Sequence, residues 1–328
     1  MTNQSVFITG GAGYVGAMLV PRLLQEGHRV TVLDLMIYGK DVLPKHPDLT
    51  VIQGDIRELE LMKSSIPGHD VVIHLACISN DPSFDLDPQL GKSINYHAFR
   101  PLVKISKSFG IKQFIFASSS SVYGIQKEKN IDETTKLEPL TDYSKYKVDC
   151  EKILSEYQSN TFTTTILRPA TVCGYSPRQR FDLVVNILTN LAYIKKEITV
   201  FGGDQLRPNI HIKDMVEAYI HILNTPKNKI AGEVFNVGFQ NMKVIDLANL
   251  VKEIVGGDVK IIIKSTNDNR SYHISSNKIR NTLKFEPQFT IKDAVIDLKQ
   301  AFKNNLFSDT LNNDLYFNIK KMNSIKLS

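Results

Sequence analysis

Ser5-Val6-Phe7-Ile8-Thr9-Gly10-Gly11-Ala12-Gly13-Tyr14-Val15-Gly16 decides the fold. The apolar, β-branched run at its start reads as a strand. The glycine-rich turn follows at once, and Ala17-Met18-Leu19-Val20-Pro21-Arg22-Leu23-Leu24 continues with helical spacing. Strand, glycine turn and helix in that order are the setting a dinucleotide fingerprint requires. Glycines let the backbone approach a pyrophosphate without a Cβ in the way. The helix that follows aims free N–H groups and a positive dipole end at the anion. Gly11, Gly13 and Gly16 satisfy GxGxxG, and Thr9, Gly10, Gly13 and Gly16 satisfy TGxxGxxG. An ordinary glycine-rich turn is the competing reading. Position immediately after the first strand favours a cofactor, with Gly10, Gly13, Tyr14, Val15 and Gly16 around it.

The next strand, His28 to Asp34, ends in a carboxylate. Asp34 lies about 20 residues beyond the glycines, where an acid accepts both ribose hydroxyls of an adenosine. It would also repel a 2′-phosphate, and Leu35 and Met36 after it are not basic, so NAD is expected rather than NADP. Further strands are predicted at 49–55, 70–76 and 112–118. Asp55 and Ile56 close the first of these, with Asp55 placed to meet the adenine amino group. Leu75 and Ala76 close the second and let the cofactor backbone lie near. His74 lies inside an apolar strand and reads as a packed core histidine. A long helical stretch containing Asn95, another expected cofactor contact, is predicted from about Asp87 to Phe109. Strands alternating with helices imply parallel βαβ units, hence an α/β fold with a Rossmann-type doubly wound parallel sheet. Ligands in such sheets lie off the carboxyl ends of the strands.

The fifth strand runs into Ser118-Ser119-Ser120-Ser121-Val122-Tyr123-Gly124. A serine cluster there is either a polar loop or a set of hydroxyls over a nicotinamide. Tyr143-Ser144-Lys145-Tyr146-Lys147 then opens a helix, with Tyr143 and Lys147 one turn apart on one face. A phenol has an ordinary pKa of about 10. An adjacent ammonium and a positive nicotinamide both favour the phenolate and bring that value toward the working pH. A tyrosine base, a lysine that tunes it and a serine that orients the alcohol suffice to oxidise a secondary alcohol with NAD. The order fingerprint, acid, serine strand, Tyr/Lys pair gives the common YxxxK spacing its meaning.

TGGAGYVG, Asp34, SSSSVYG and YSKYK in this order resemble the extended short-chain dehydrogenase/reductase family, nearest its NAD-dependent nucleotide-sugar epimerases and dehydratases. The resemblance runs over nearly the whole chain. It implies a Rossmann domain that binds NAD (residues 1–170, with returning segments from about 205–240). It also implies a smaller C-terminal α/β lobe (mainly 171–328, with a tail) that binds a nucleoside-diphosphate sugar. On this match the catalytic Ser/Thr is Ser119 and the YxxxK pair is Tyr143 and Lys147. Ser118, Arg168 and Ala170 would border the nicotinamide, and Ser120 the substrate. Asn186 resembles the family asparagine at the nucleotide, and Arg207 in the Arg207–Asp214 segment would be a phosphate ligand, with His211 structural. Where the family carries an arginine before Gly-Asp, this chain has Lys264-Ser265, and Arg270 is the expected replacement. Two positions also depart from the 4,6-dehydratases: Ser120 and Ser121 stand where those enzymes carry Asp and Glu. Removing water across two carbons needs an acid and a base, which serines do not supply well.

Arg178 and Arg180 lie in Ser176-Pro177-Arg178-Gln179-Arg180 ahead of a helix. They suit a pyrophosphate or a sugar through the two-point fork of arginine, with a solvated basic loop as the other reading. At 328 residues the chain is long enough for a large α/β unit with a second lobe. A net charge of +6 without a basic block interleaved with aromatics gives no support for nucleic-acid binding. Cys77, Cys150 and Cys173 form no CxxC pattern and read as buried thiols in a reducing compartment, with no metal site. No run of eighteen apolar residues occurs and the chain enters a strand almost at once, so a cytoplasmic protein without a membrane span is expected. A homodimer through the helices at about 87–109 and 143–159 is implied by the resemblance alone. The leading expectation is 4-epimerisation of a nucleotide sugar. A 4-dehydrogenase releasing a keto sugar, a dehydratase and a non-catalytic NAD-binding scaffold are the alternatives, and an intact Ser/Tyr/Lys set argues against the last.

Overall fold

The computed structural model describes residues 3–79, 81–126, 130–266, 271 and 273–325. Strands β1 (Ser5–Thr9), β2 (Arg29–Asp34), β3 (Leu49–Gln53), β4 (Val71–His74) and β5 (Gln113–Ala117) fall where the apolar runs place them, and β6 (Thr163–Pro169) comes next. The short β7 (Thr171–Cys173), β8 (Glu197–Phe201) and β9 (Leu206–His211) follow. The chain then makes β10 (Glu233–Val237), β11 (Gln240–Lys243) and β12 (Lys260–Lys264). Seven strands form one sheet in the order β10-β6-β5-β4-β1-β2-β3, and every pairing in it is parallel. The order reverses between β1 and β4, which opens a crevice at the carboxyl ends of those strands. Of the returning stretch at 205–240, only β10 joins this sheet. β9 instead sits between β7 and β11 in a three-stranded sheet, and β8 pairs with β12 in a further two-stranded one.

Central strands here read as unbroken apolar runs because helices cover both faces of a parallel sheet. One core holds Ile8, Val32, Ile73 and Ile115 against the helices Gly16–Gln25 and Ile212–Asn224. The opposite core holds Phe7, Val72, Phe114 and Phe116 against the helices Phe99–Ser108 and Asp142–Tyr157. A third cluster packs the helices Val184–Lys195, Val244–Val255 and Ile291–Lys303 on β8. The long helical stretch forms, but with a wide π turn at Ser93–His97 between Pro88–Lys92 and Phe99–Ser108. No helix among the described residues is long and apolar enough to cross a membrane.

His74 is a core residue, as its apolar strand implies. It accepts or donates a 2.6 Å hydrogen bond with Thr9 Oγ1 and stacks on Phe116. Burial, and secondarily the charge of Lys147, pull its pKa down to about 3. The unfolded chain therefore takes up this proton near pH 6.5 and the native chain does not. The contribution of neutral His74 is complete above pH 6.5 and declines as pH falls toward 3. The decline is about 1.4 kcal/mol per pH unit. Urea unfolding between pH 6 and pH 4 should show His74→Leu with a stability slope shallower by one proton; parallel slopes would refute the assignment.

Candidate active site

One cleft runs along the carboxyl ends of the strands, lined on one side by Gly10, Gly13, Tyr14, Val15, Gly16 and Asp34. Gly10 turns with φ +76°, and a Cβ there would meet the Ala76 nitrogen at 2.5 Å. A Cβ on Gly16 would lie 2.4 Å from the Gly11 carbonyl oxygen, so the helix Gly16–Gln25 starts closer to the turn than any other residue allows. Among the described residues, the amides of Tyr14, Val15 and Gly16 donate to no acceptor. Three open N–H groups at a helix start form an anion site, and they fit the diphosphate of a dinucleotide. Asp34 closes the loop from β2: its carboxylate accepts from Ala12 N at 3.0 Å and Met36 N at 2.8 Å. Burial raises its pKa, against the pull of those two amides and of Arg178. Asp55, Ile56, Leu75 and Ala76 also border the cleft. Arg57 holds the Asp55 carboxylate at 2.6 Å.

The other end of the cleft is built by two helix starts. Thr141 and Ser144 form a reciprocal capping box that begins the helix Asp142–Tyr157 one residue before Tyr143. Lys147 follows one turn on, is 5% exposed, and donates to the Ala117 carbonyl at 2.6 Å. Its Nζ lies 5.7 Å from the centre of the Tyr143 ring. At the end of β5, Ser119 caps the 3₁₀ turn Ser120–Tyr123 and hydrogen-bonds Ser121 Oγ at 2.9 Å. Tyr143, Lys147 and Ser118 to Ser121 all face the cleft, with Ala170 beside them. Burial pushes the Tyr143 phenol well above its ordinary pKa. Cys77 and Asp81 add to that, while Arg180 and a hydrogen bond with Ser119 oppose it. The protein alone thus holds this phenol protonated, contrary to the lowering expected from Lys147. The positive end of the helix and a cationic nicotinamide are the influences left to lower it.

Four expected contacts do not line the cleft. Asn95 does not line the cleft; in the π turn its amide clamps Ile78, donating to the carbonyl at 2.9 Å and accepting from N at 2.8 Å. Arg168 lies beneath the serine turn, bidentate on Glu151 at 3.0 and 2.6 Å and donating to Tyr123 Oη at 2.8 Å. Glu151 also accepts from Ser118 Oγ, so Ser118 offers the cleft backbone rather than a free hydroxyl. Asn186 is fully buried and ties Gly174 N, Tyr14 Oη and the Arg180 carbonyl together. Arg207 stands half-buried on β9 and donates to the Leu206 carbonyl at 3.1 Å, away from the cleft lining. Arg270 lies outside the described residues. His211 is structural: it caps the helix Ile212–Asn224. Tyr38, Asp81 and Asn318, which no local motif singles out, also line the cleft, as does Cys77. Cys77 is thereby half-buried, unlike Cys150 and Cys173, and all three thiols are free. Asp81 accepts from Thr141 Oγ1 at 2.5 Å, a side-chain pairing that no spacing announces. No group of metal-binding side chains occurs among the described residues.

A parallel sheet with a glycine fingerprint, an acid at the end of β2 and a Tyr/Lys pair with a serine at one cleft is the arrangement of an NAD-dependent enzyme. The comparisons narrow this. A model of the NAD dependent epimerase/dehydratase family matches residues 6–238, and the chain belongs to that family. It is 30% identical to the uncharacterised UDP-glucose epimerase YtcB of Bacillus subtilis (strain 168), over 89% of this chain and 96% of the relative. A crystal structure of UDP-glucose 4-epimerase with UDP-glucose from Thermotoga maritima superposes with a TM-score of 0.83 at 27% identity, covering 92% of this chain and all of the other. That of UDP-glucuronic acid 4-epimerase from Bacillus cereus, with UDP-glucuronic acid and NAD, gives 0.82 at 26%, covering 92% and 99%.

The buried Glu151–Arg168 pair yields a direct test of the Arg168 assignment. Glu151→Gln leaves a buried guanidinium without its counter-ion and should cost about 3–5 kcal/mol in urea unfolding. Replacing both residues by Met should recover most of that, with the Kd for NAD kept within about threefold, a change of under 1 kcal/mol. A large loss of NAD affinity in the recovered double variant would return Arg168 to the cofactor.

Proposed function

We propose that the chain is a nucleotide-sugar 4-epimerase. What carries the reading is the set Tyr143, Lys147 and Ser119 at one end of the cleft, beside Ser120 and Ser121, where a 4,6-dehydratase would need an acid and a base. In this reading Ser119 Oγ holds the C4 oxygen of the sugar. Tyr143 Oη takes the C4 hydroxyl proton as the alcohol is oxidised and returns it when the keto sugar is reduced on its other face. When bound, NAD supplies the hydride chemistry in both directions. Lys147 uses one of its three donors on Ala117, which fixes the ammonium beside the phenol and leaves two donors for the cofactor ribose.

The same reading gives residues 1–170 and β10 to NAD and most of 171–328 to the nucleoside diphosphate sugar, with Arg207 and Arg270 as substrate contacts. It includes a homodimer on the helices Phe99–Ser108 and Asp142–Tyr157, working in the cytoplasm with its three cysteines reduced. UDP-, GDP-, CDP- and dTDP-sugars should be screened for a C4 epimer formed without net NADH. Tyr143→Phe should lower that rate by about 10²–10⁴-fold and still retain NAD. A stoichiometric keto product would favour the 4-dehydrogenase, and near-normal turnover in the variant would remove Tyr143 from the chemistry.

A further inference from the structure

Arg178 is the one guanidinium among the described residues that is buried in the cleft wall without a carboxylate. It is 3% exposed, and its Nε and Nη1 have no hydrogen-bond partner. Its neighbour Arg180 is paired with Asp182 at 2.8 Å, so the two arginines of this loop differ in kind. Nη2 of Arg178 donates to Asn318 Oδ1 at 2.5 Å, and the guanidinium lies 3.5 Å from the centre of the Tyr38 ring. Burial pulls its pKa down to about 10, against the attraction of Tyr38. A buried cation with two open donors is costly unless an anion completes it.

Its position says which anion. Tyr38 lies four residues beyond Asp34, so the guanidinium against its ring stands beside the loop that carries the ribose acid, in the same cleft as the fingerprint glycines. Arg178 thus lies at the end of the cleft where the fingerprint amides and the ribose acid meet, whereas Ser119 and Tyr143 mark the end where a sugar reacts. Asn318 explains how the guanidinium is kept there. It is 4% exposed in the helix Asn318–Ser324. Its Oδ1 accepts from Tyr38 Oη at 3.0 Å as well as from Arg178, and its Nδ2 donates to Ser79 Oγ at 2.8 Å. Its backbone N–H donates to Asp182 at 3.0 Å. One amide near the end of the chain therefore joins the loops after β2 and β4 to the arginine loop, and Met322 reaches the cleft beside it.

We propose that Arg178 binds the diphosphate of the NAD cofactor rather than that of the sugar nucleotide, and that Asn318 is the positioning residue that presents it. The site takes a dinucleotide diphosphate, and it is complete only with the C-terminal helix docked. This rests on the NAD cofactor of the family and is independent of whether the reaction is an epimerisation.

Calorimetric titration of the full chain with NAD, ADP, adenosine and UDP tests it, with Arg178→Gln and Asn318→Asp compared with the parent. Arg178→Gln should weaken NAD and ADP by about 10- to 100-fold, the effect of one or two charge-assisted hydrogen bonds. Adenosine and UDP should change little. Asn318→Asp gives the guanidinium a carboxylate partner. It should raise the melting temperature and yet weaken NAD and ADP about tenfold, so that stability and affinity move in opposite directions. Loss of UDP binding with NAD retained would give Arg178 to the substrate. Equal loss of adenosine and ADP, or unchanged NAD affinity in Asn318→Asp, would make the cluster merely structural. Should Arg178→Gln fail to fold, the Asn318→Asp titrations decide alone.

Discussion

The hydrogen bond from Lys147 to the Ala117 carbonyl ties the helix Asp142–Tyr157 to the end of β5. An ammonium that is 5% exposed is costly to bury, and it is kept because a carbonyl takes one of its protons while Phe116 presents a ring face at 4.9 Å. That single tether sets the height of Tyr143 above the strand ends. The capping box at Thr141 sets where the helix begins, and Ser119, two residues past Ala117, reaches the phenol because the chain turns there into a 3₁₀ coil. Tyr143 and Lys147 share that helix, so the tether sets both against the strand end that carries Ser119.

A second layer keeps that geometry stiff. Glu151, one turn beyond Lys147, gathers Ser118 and Arg168, and Arg168 gathers Tyr123, which donates to Asn236 on β10 at 2.7 Å. The network spans β5, β6, β10 and the helix Asp142–Tyr157, and of its members only Ser118 lines the cleft. Its charges are paired and its hydrogen bonds are filled, which is the condition for a buried polar network to rigidify rather than destabilise. The arginine of β6 is thereby held to Glu151 and Tyr123 next to the serine turn.

Much of this was legible in the sequence. Strand positions followed from apolar runs, and the fingerprint, Asp34 and the Tyr143/Lys147 pair followed from local spacing, because each depends on neighbours within a turn or a strand. What escaped notice depends on residues far apart in the chain. Asn318 reaches Ser79 across most of the protein, and Asp81 meets Thr141 from another helix. Arg168 and Asn95 carried the right polarity for a ligand contact, but polarity does not reveal that Glu151 or the Ile78 backbone claims it first. The tuning of Tyr143 is hidden from the sequence for a related reason. Proximity of Lys147 was visible in the spacing; the burial that outweighs it was not.

The central claim is that the Tyr143 phenol is poised by charge at a nicotinamide. Ultraviolet difference titration near 295 nm reads its ionisation directly, with Tyr143→Phe subtracted to isolate the signal. Saturation with NAD⁺ should let the Tyr143 phenolate form at lower pH than saturation with NADH, since only the oxidised ring is cationic. Identical titration curves in the two redox states would mean that the phenol does not face the ring, and the account of the site would be wrong.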